Sequence, residues 1–194
     1  MTRTGTYAKG VVKRREVLEA TMTVLVRDGY KASLRAIAKE SGLSLTGLMH
    51  YFPTRDELML AVLRDIDDHV AEELFEAGAA FRPGDYLADV MALNASEPAR
   101  AHLYVGMLAE AANPAHPAAE YMRERYAMGV RVLAEWIRDR QAEGQLASTL
   151  DPEFTASALF ATADGIQVQW LQDRSIDMAA HVRRMWALLT QCPS

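Results

Sequence analysis

The chain has 194 residues, of which half are hydrophobic, with seven prolines and a single cysteine, Cys192. This composition is typical of a folded, mainly helical protein, and one cysteine excludes both a disulfide framework and a cysteine-rich metal site. The longest apolar run, residues 58–63, is far shorter than the stretch of about 20 residues that crosses a bilayer. No apolar signal region follows the N-terminal charges, so we expect a cytoplasmic protein.

The charges are divided unevenly along the chain. Residues 1–55 hold ten Lys or Arg against four Asp or Glu, a net charge of +6, whereas residues 56–194 hold eleven against twenty-two, a net charge of −11. A basic end on an acidic body favours contact between that end and a phosphate backbone. Charge runs are often only solvated surface, however, so this asymmetry does not establish nucleic-acid binding by itself.

The first predicted helix covers about residues 9–27. Leu18, Met22 and Leu25 share one of its faces, and Gly29 is expected to end it. The second predicted helix is only about two turns long. Ser33 is its expected N-cap, and its inward side chains are Leu34, Ile37 and Ala38.

A tight turn and another short helix follow. Gly42 stands where a left-handed residue can end the preceding helix, and Ser44 can cap the next one. Pro53 disfavours helical backbone at Phe52 and should end that helix. Thr54 and Glu57 then form a predicted capping box. This order of helix, turn and helix predicts a helix-turn-helix domain, whose second helix enters the DNA major groove.

The stretch GYKASLRAIAKESGLSLTGLMHYFPTRDEL resembles the DNA-binding segment of the TetR family of bacterial repressors. The resemblance implies an all-α protein of about nine helices, with a helix-turn-helix DNA-binding domain at residues 1–55 and a helical effector-binding and dimerisation domain at residues 56–194. It implies a transcriptional regulator, expected to be a repressor, that binds a palindromic operator in double-stranded DNA as a homodimer and is not an enzyme.

The resemblance also implies roles for individual residues. Base edges would be read from the first turn of the recognition helix and one turn later, by Leu45, Thr46, Gly47 and His50. Phosphates would be held by the flanking groups Ser33, Ser44, Tyr51, Thr54 and Arg55. Tyr51 could alternatively be plain core packing. Leu45 and Met49 stand where the family often has lysine and tyrosine, so the operator sequence cannot be deduced. The basic N-terminal tail is expected to reach the DNA backbone or minor groove, so deletion of residues 2–8 should weaken DNA binding.

The remaining helices are predicted from periodicity and from Pro and Gly breaks. They cover about residues 54–77, 85–93, 98–112, 117–144, 152–173 and 176–191. Small residues between positions 156 and 165 permit close helix approach, and the ADGIQVQWLQD run resembles the matching segment of TetR-like bodies. We therefore expect the last two helices to pair with the same two of a second chain as a four-helix bundle, although they could instead only close the monomer core.

A small, largely apolar effector is implied by the family resemblance. The candidate pocket residues are Tyr104, Met107, Met122, Tyr126, Trp136, Phe160, Asp164 and Gln167. Asp164 and Gln167 lie on an otherwise apolar face and need partners once buried, which a ligand or the opposing subunit could supply. The effector would shift the body towards a conformation in which the helix at 54–77 swings and changes the separation of the two heads.

Two alternatives remain open at this stage. A helical-bundle metal enzyme would need Glu-x-x-His motifs, which do not occur, and His69, His102, His116 and His181 are scattered singly. We therefore expect no metal and no cofactor, and we interpret His69 as hydrogen-bonded to Asp65 one turn earlier. The second alternative is a helix-turn-helix regulator without an effector.

Overall fold

The computed structural model describes residues 3–77 and 81–191, with side chains described over 10–70, at 72 and over 81–191. Nine α-helices and no strands occur in these ranges, which confirms the predicted all-α class. The helices are α1 (Arg3–Asp28), α2 (Leu34–Glu40), α3 (Leu45–Tyr51), α4 (Arg55–Ala77), α5 (Pro83–Ser96), α6 (Pro98–Glu110), α7 (Ala119–Ala142), α8 (Pro152–Gln172) and α9 (Met178–Thr190).

Most predicted helix ends fall within two residues of the observed ones, and α1 is the main exception. It begins at Arg3 rather than near residue 9, since no proline interrupts the polar N-terminal segment. The side chains before Gly10 lie outside the described part, so the role of residues 2–8 stays a prediction. α5 is longer than predicted at both ends, and α9 begins at Met178 because Asp177 caps it, accepting a 2.9 Å hydrogen bond from the Ala180 amide.

The chain forms two compact units, the first made of Met1–Glu76 with Pro98–Ala118. Its helices are α1 to α4 and α6, with α1 packed against both α2 and α6, and α2 against α3. The fully buried side chains Val24, Ile37, Leu48, Leu58, Leu103 and Met107 form its core. The helix-turn-helix segment is therefore one part of a larger unit. The functional boundary expected at residue 55 is a different division and stays a prediction.

The second unit consists of Ala77–Glu97 with Ala119–Ser194. In it α5 packs on α9, α7 on α8, and α8 on α9. Gly84 lies so close to Trp186 that an added Cβ would meet that side chain at 2.4 Å, and the Trp186 ring centroid lies 5.9 Å from that of Trp136. Close helix approach at a glycine is therefore part of how α5 and α9 fit together.

Along the described ranges, no helix combines the length and the apolar character that a membrane span requires.

Candidate nucleic-acid interface

The turn between α2 and α3 has the predicted local structure. The Ser33 hydroxyl accepts a 3.2 Å hydrogen bond from the Ala36 amide at the start of α2. Gly42 adopts a φ of +68°, a left-handed conformation that L side chains rarely take. The Leu43 amide then donates to the Ala38 carbonyl at 2.8 Å and satisfies one of the last carbonyls of α2. The turn therefore sets where α3 begins.

Helix α3 is held between a serine cap and a proline. The Ser44 hydroxyl accepts a 3.0 Å hydrogen bond from the Gly47 amide, and Leu48 packs fully buried one turn later. Phe52 is extended and buried, because Pro53 prevents a further helical turn. One buried residue in the middle of this two-turn helix and another directly after it fix the rotation of the helix, and so fix which side chains face outward.

The outward face of α3 carries the four residues predicted to read bases. Thr46 and His50 are exposed, while Leu45 and Gly47 are half-buried. Met49 is exposed beside them and adds an apolar surface. This face offers one hydroxyl, one imidazole and several methyl groups, which suits hydrogen bonds and apolar contact to thymine methyl groups more than charged contacts to guanine.

The start of α4 shows the predicted capping box. The Thr54 amide donates to Glu57 Oε2 at 3.2 Å, and the Glu57 amide donates to Thr54 Oγ1 at 3.2 Å. Ser33, Ser44 and Thr54 all use their hydroxyl oxygens as acceptors in caps. Each keeps its own O–H proton, which can be donated to a phosphate oxygen.

Arg55 has partners inside the first unit that sequence reasoning did not foresee. Its guanidinium carbon lies 4.6 Å from the Tyr30 ring centroid, and its Nη2 donates to the Tyr30 carbonyl. Burial raises the pKa of Tyr30 to about 12, so its phenol stays protonated and donates to Glu110 Oε2 at 3.0 Å. Arg55 is thus half-buried and held in place, and its role as a phosphate contact stays a prediction. Tyr51 is half-buried next to His50, so its alternative role in packing also stays open.

Two more basic residues, both on α1, hold the helix-turn-helix in position. Lys13 Nζ donates to the Ser41 carbonyl at 2.7 Å, at the end of α2. The Arg14 guanidinium carbon lies 4.7 Å from the Phe52 ring centroid, just after α3. Sequence reasoning missed both contacts, because the partners are 28 and 38 residues away and no local pattern reports them. Part of the basic excess of residues 1–55 is therefore structural.

Exposed cations lie on α2 and just before it. Lys31, Arg35 and Lys39 are all exposed, and Arg35 is the second residue of α2, two positions after the Ser33 cap. Arg35 was not among the predicted phosphate contacts, although its position beside a helix N-terminus favours such a role. It adds a cation to the predicted phosphate-binding set.

The predicted effector residues fall into both units. Tyr104 and Met107 are buried on α6 in the first unit. In the second unit Met122 is buried on α7, while Trp136 is half-buried against Trp186. Tyr126, Phe160 and Asp164 lie together there, the two aromatic ring centroids being 6.4 Å apart and nearly perpendicular. Gly129 makes room for Phe160, since an added Cβ would meet its ring at 2.6 Å.

The two polar residues on α8 already have partners within the chain. The Tyr126 hydroxyl donates to the Asp164 carboxylate. Gln167 is buried, and its Oε1 accepts a 2.7 Å hydrogen bond from Asn94 Nδ2 on α5. The expectation that a ligand or a second subunit supplies these partners is therefore corrected: α7 and α5 supply them. His69 is hydrogen-bonded as expected, through Nδ1 to the Asp65 carbonyl at 2.6 Å.

Comparisons with known proteins point to one family. Residues 17–62 match the family model described as "Bacterial regulatory proteins, tetR family". The HTH-type transcriptional regulator PksA of Bacillus subtilis is 41% identical over 63 residues, which cover 32% of this chain and 31% of PksA. The chain thus aligns with about a third of this curated relative, in the segment that carries the helix-turn-helix.

Solved structures match over nearly the whole chain. GusR of Salmonella enterica is 26% identical, with 93% of this chain and 96% of that chain covered and a TM-score of 0.68. FadR of Bacillus subtilis, solved in complex with stearoyl-CoA, is 17% identical, with 91% of this chain and 97% of that chain covered and a TM-score of 0.71. At this identity the similarity concerns the fold alone.

Together, the capped α2–α3 pair and the outward face of α3 define a helix-turn-helix DNA-binding domain followed by a helical body. PksA, one of the relatives that share this segment, is an HTH-type transcriptional regulator. Over residues 17–62 the chain is similar to the tetR family of bacterial regulatory proteins.

Proposed function

We propose that this protein is a transcriptional regulator that represses its target by binding a palindromic operator in double-stranded DNA, in the cytoplasm. The observation that carries the proposal is the exposed face of α3, with Leu45, Thr46, Gly47 and His50 presented by a helix whose rotation is fixed by buried Leu48 and Phe52. A fixed helix with polar and methyl groups on its free face is what major-groove reading requires.

Selection of bound duplexes from a random DNA pool, at two salt concentrations, tests this proposal. We expect a palindrome to be recovered, with half-sites spaced about one helical turn, roughly 34 Å, or farther apart. Affinity should fall as salt rises, because phosphate contacts release counterions. Binding that is salt-sensitive but blind to sequence would contradict the regulator role, as would the absence of binding.

Matched variants separate base reading from phosphate binding. Thr46→Ala should weaken operator binding by about tenfold and leave random-duplex binding unchanged, since a lost base contact costs about 1–3 kcal/mol. Arg35→Ala and Arg55→Ala should weaken both and reduce the salt slope by about one. Arg55→Lys is the control for Arg55, because it keeps the charge but loses the planar stacking on Tyr30. A loss confined to one operator would argue against phosphate contact.

The proposed homodimer pairs α8 and α9 with the same helices of a second chain. Both helices leave large apolar side chains in water: Val168 on α8 is 40% exposed and Leu188 on α9 is 58% exposed. Burying such side chains is favourable by about 25 cal/mol per Å² of apolar surface. Sedimentation velocity should show a monomer for Val168→Asp combined with Leu188→Asp. Val132→Asp on α7, where the side chain is 45% exposed, is the matched control and should remain dimeric.

The proposed effector is small and largely apolar. The support is that FadR of Bacillus subtilis, which has a similar fold, was solved in complex with stearoyl-CoA, and that the aromatic rings of Tyr126 and Phe160 lie together in the second unit. Binding would favour one body conformation and shift the separation of the two heads. Fatty acids and their CoA thioesters should raise the melting temperature and release the operator. A ligand that stabilises the protein without changing operator affinity would favour a regulator without an effector.

A further inference from the structure

Three potential metal ligands meet in the first unit. Asp56 is the second residue of α4, Glu110 is the last residue of α6, and His116 lies in the loop before α7. His116 Nε2 is 3.4 Å from Asp56 Oδ2 and 3.6 Å from Glu110 Oε2. All three ligand atoms lie within 4.8 Å of one another.

The imidazole nitrogen in this cluster is buried and has no hydrogen-bond partner. His116 Nε2 is shielded from solvent and the side chain is only 11% exposed, whereas the side chains of Asp56 and Glu110 are 42% and 40% exposed. A buried polar atom without a partner is costly and calls for a physical reason. The two carboxylates are partly exposed and therefore accessible to an ion from solvent.

The distances fit a small tetrahedral cation. Zinc binds nitrogen and oxygen ligands at about 2.0–2.2 Å, so two ligands of a tetrahedral zinc ion lie roughly 3.4 Å apart. The two distances from His116 Nε2 match this spacing. We propose that Asp56, Glu110 and His116 form a binding site for a divalent cation of the Zn²⁺ type, with water as a fourth ligand. This proposal does not depend on the proposed DNA-binding function.

The surroundings support one ligand and constrain another. The Tyr30 hydroxyl donates to Glu110 Oε2 at 3.0 Å and so orients that carboxylate, as outer hydrogen bonds do at metal sites. His116 Nδ1 accepts a 3.2 Å hydrogen bond from the Ala118 amide, which places the imidazole proton on Nε2 in the metal-free chain. A cation at Nε2 moves that proton to Nδ1, and the Ala118 contact must then open. This contact lies in a loop and is long, so the cost is small.

An ion at this site would connect two helices of the first unit. Asp56 is in the first turn of α4, directly after the recognition helix and Pro53, while Glu110 and His116 flank the end of α6. An ion shared by the three would fasten the start of α4 to the end of α6. Asp56 and Glu110 are 54 positions apart in the sequence, and Glu110 and His116 are 6 apart. This irregular spacing does not form a recognisable metal-binding motif.

Titration of the purified, chelator-treated full-length protein with ZnCl₂ alone tests the proposal. Calorimetry should show one ion per chain, and thermal denaturation should show a higher melting temperature, because an ion that binds the folded state stabilises it. Substitution with Co²⁺ should give the intense visible absorption of a tetrahedral site, and Mg²⁺ should not compete, since it prefers octahedral oxygen sites.

Variants assign the ion to these residues. His116→Gln and Asp56→Asn should each weaken zinc binding by about a hundredfold or more. His181→Gln on α9 is the control and should bind as the native chain does. If His116→Gln fails to fold, Glu110→Gln takes its place. Zinc affinity that is unchanged in the folded variants, or the absence of binding to the native chain, would overturn the proposal. If His116→Gln loses stability but the native chain does not respond to zinc, the cluster has only a structural role. That result would also overturn the proposal.

Discussion

In the segment from Gly29 to Glu57, the side-chain caps join residues three apart: Ser33 with Ala36, Ser44 with Gly47, and Thr54 with Glu57. In the second unit, the side-chain hydrogen bonds between different helices join distant residues. Asn94 and Gln167 are 73 positions apart, and Arg183 and Asp89 are 94 apart. The first region is specified locally and the second by packing between helices. Changes in the first should therefore have small and separable effects, whereas changes in the second should be large and coupled.

The largest effect is expected for Gly84→Ala in the second unit. Its new Cβ would lie 2.4 Å from Trp186 Cγ and 2.8 Å from Trp186 Cβ, close to the tryptophan backbone, so α5 and α9 must move apart. Overpacking of this kind costs about 3 kcal/mol of unfolding free energy, measured by urea denaturation. Gly10→Ala on α1 is the control, since nothing lies within 4 Å of its added Cβ, and it should gain up to about 1 kcal/mol. Equal changes in unfolding free energy for Gly84→Ala and Gly10→Ala would contradict the contrast between the two regions.

The next effect concerns the buried amide pair of the second unit. Asn94→Leu or Gln167→Leu alone should each cost about 2 kcal/mol, because the remaining amide is left buried without its partner. The double variant should cost clearly less than the two single costs together. Denaturation of all four proteins forms the double-mutant cycle. Strict additivity would show that the two side chains do not depend on each other.

A smaller effect is expected in the local region, at Gly42. Alanine there must adopt the observed φ of +68° and should cost about 1 kcal/mol. Gly42→Asn should cost less, since asparagine tolerates the left-handed region. Chemical denaturation measures both. A cost for alanine as large as that of Gly84→Ala would mean that this turn is not a local feature.

The smallest effect is expected at His69, another contact that spans a single helical turn. Its hydrogen bond to the Asp65 carbonyl raises the pKa of His69 above the ordinary 6.5. The folded state therefore favours the protonated ring. The resulting stability is present below the unfolded pKa and is lost as the pH rises through the folded pKa. His69→Gln should destabilise the protein slightly in urea at about pH 5.5 and not at about pH 8.5. The opposite dependence would contradict the assignment.

The same contrast explains what could be predicted from the sequence. The caps at Ser33 and Ser44, the left-handed Gly42 and the stop at Pro53 were predicted correctly, because each is determined by residues within one turn. The partners of Asp164 and Gln167 could not be foreseen, since they depend on which helices meet. The cluster of Asp56, Glu110 and His116 was missed for the same reason, and the expectation of no metal stays a prediction that the zinc titration tests.

The sequence also did not show which basic residues have structural contacts and which are free to meet DNA. A count of charges treats Lys13 and Arg35 alike, yet Lys13 is bound to the Ser41 carbonyl and Arg35 is exposed on α2. Only the packing of α1 on α2 distinguishes them. The outward face of α3 was predictable because the inward residues of a short capped helix leave one such face, whereas the DNA contacts of its residues stay a prediction. Their energetic roles depend on the operator, which lies outside the chain.

The position of Gly106 on α6 has a practical consequence for engineering. An added Cβ there would meet the Tyr30 ring at 2.6 Å, so Tyr30, one residue after α1 and its Gly29 stop, lies directly on α6. A chimeric regulator that fuses residues 1–55 to the ligand-binding domain of another protein would leave the Tyr30 ring exposed. It would also lack Glu110, which accepts the hydrogen bond from the Tyr30 hydroxyl. A DNA-binding module taken from this protein must therefore include residues 98–118, although these residues come later in the chain.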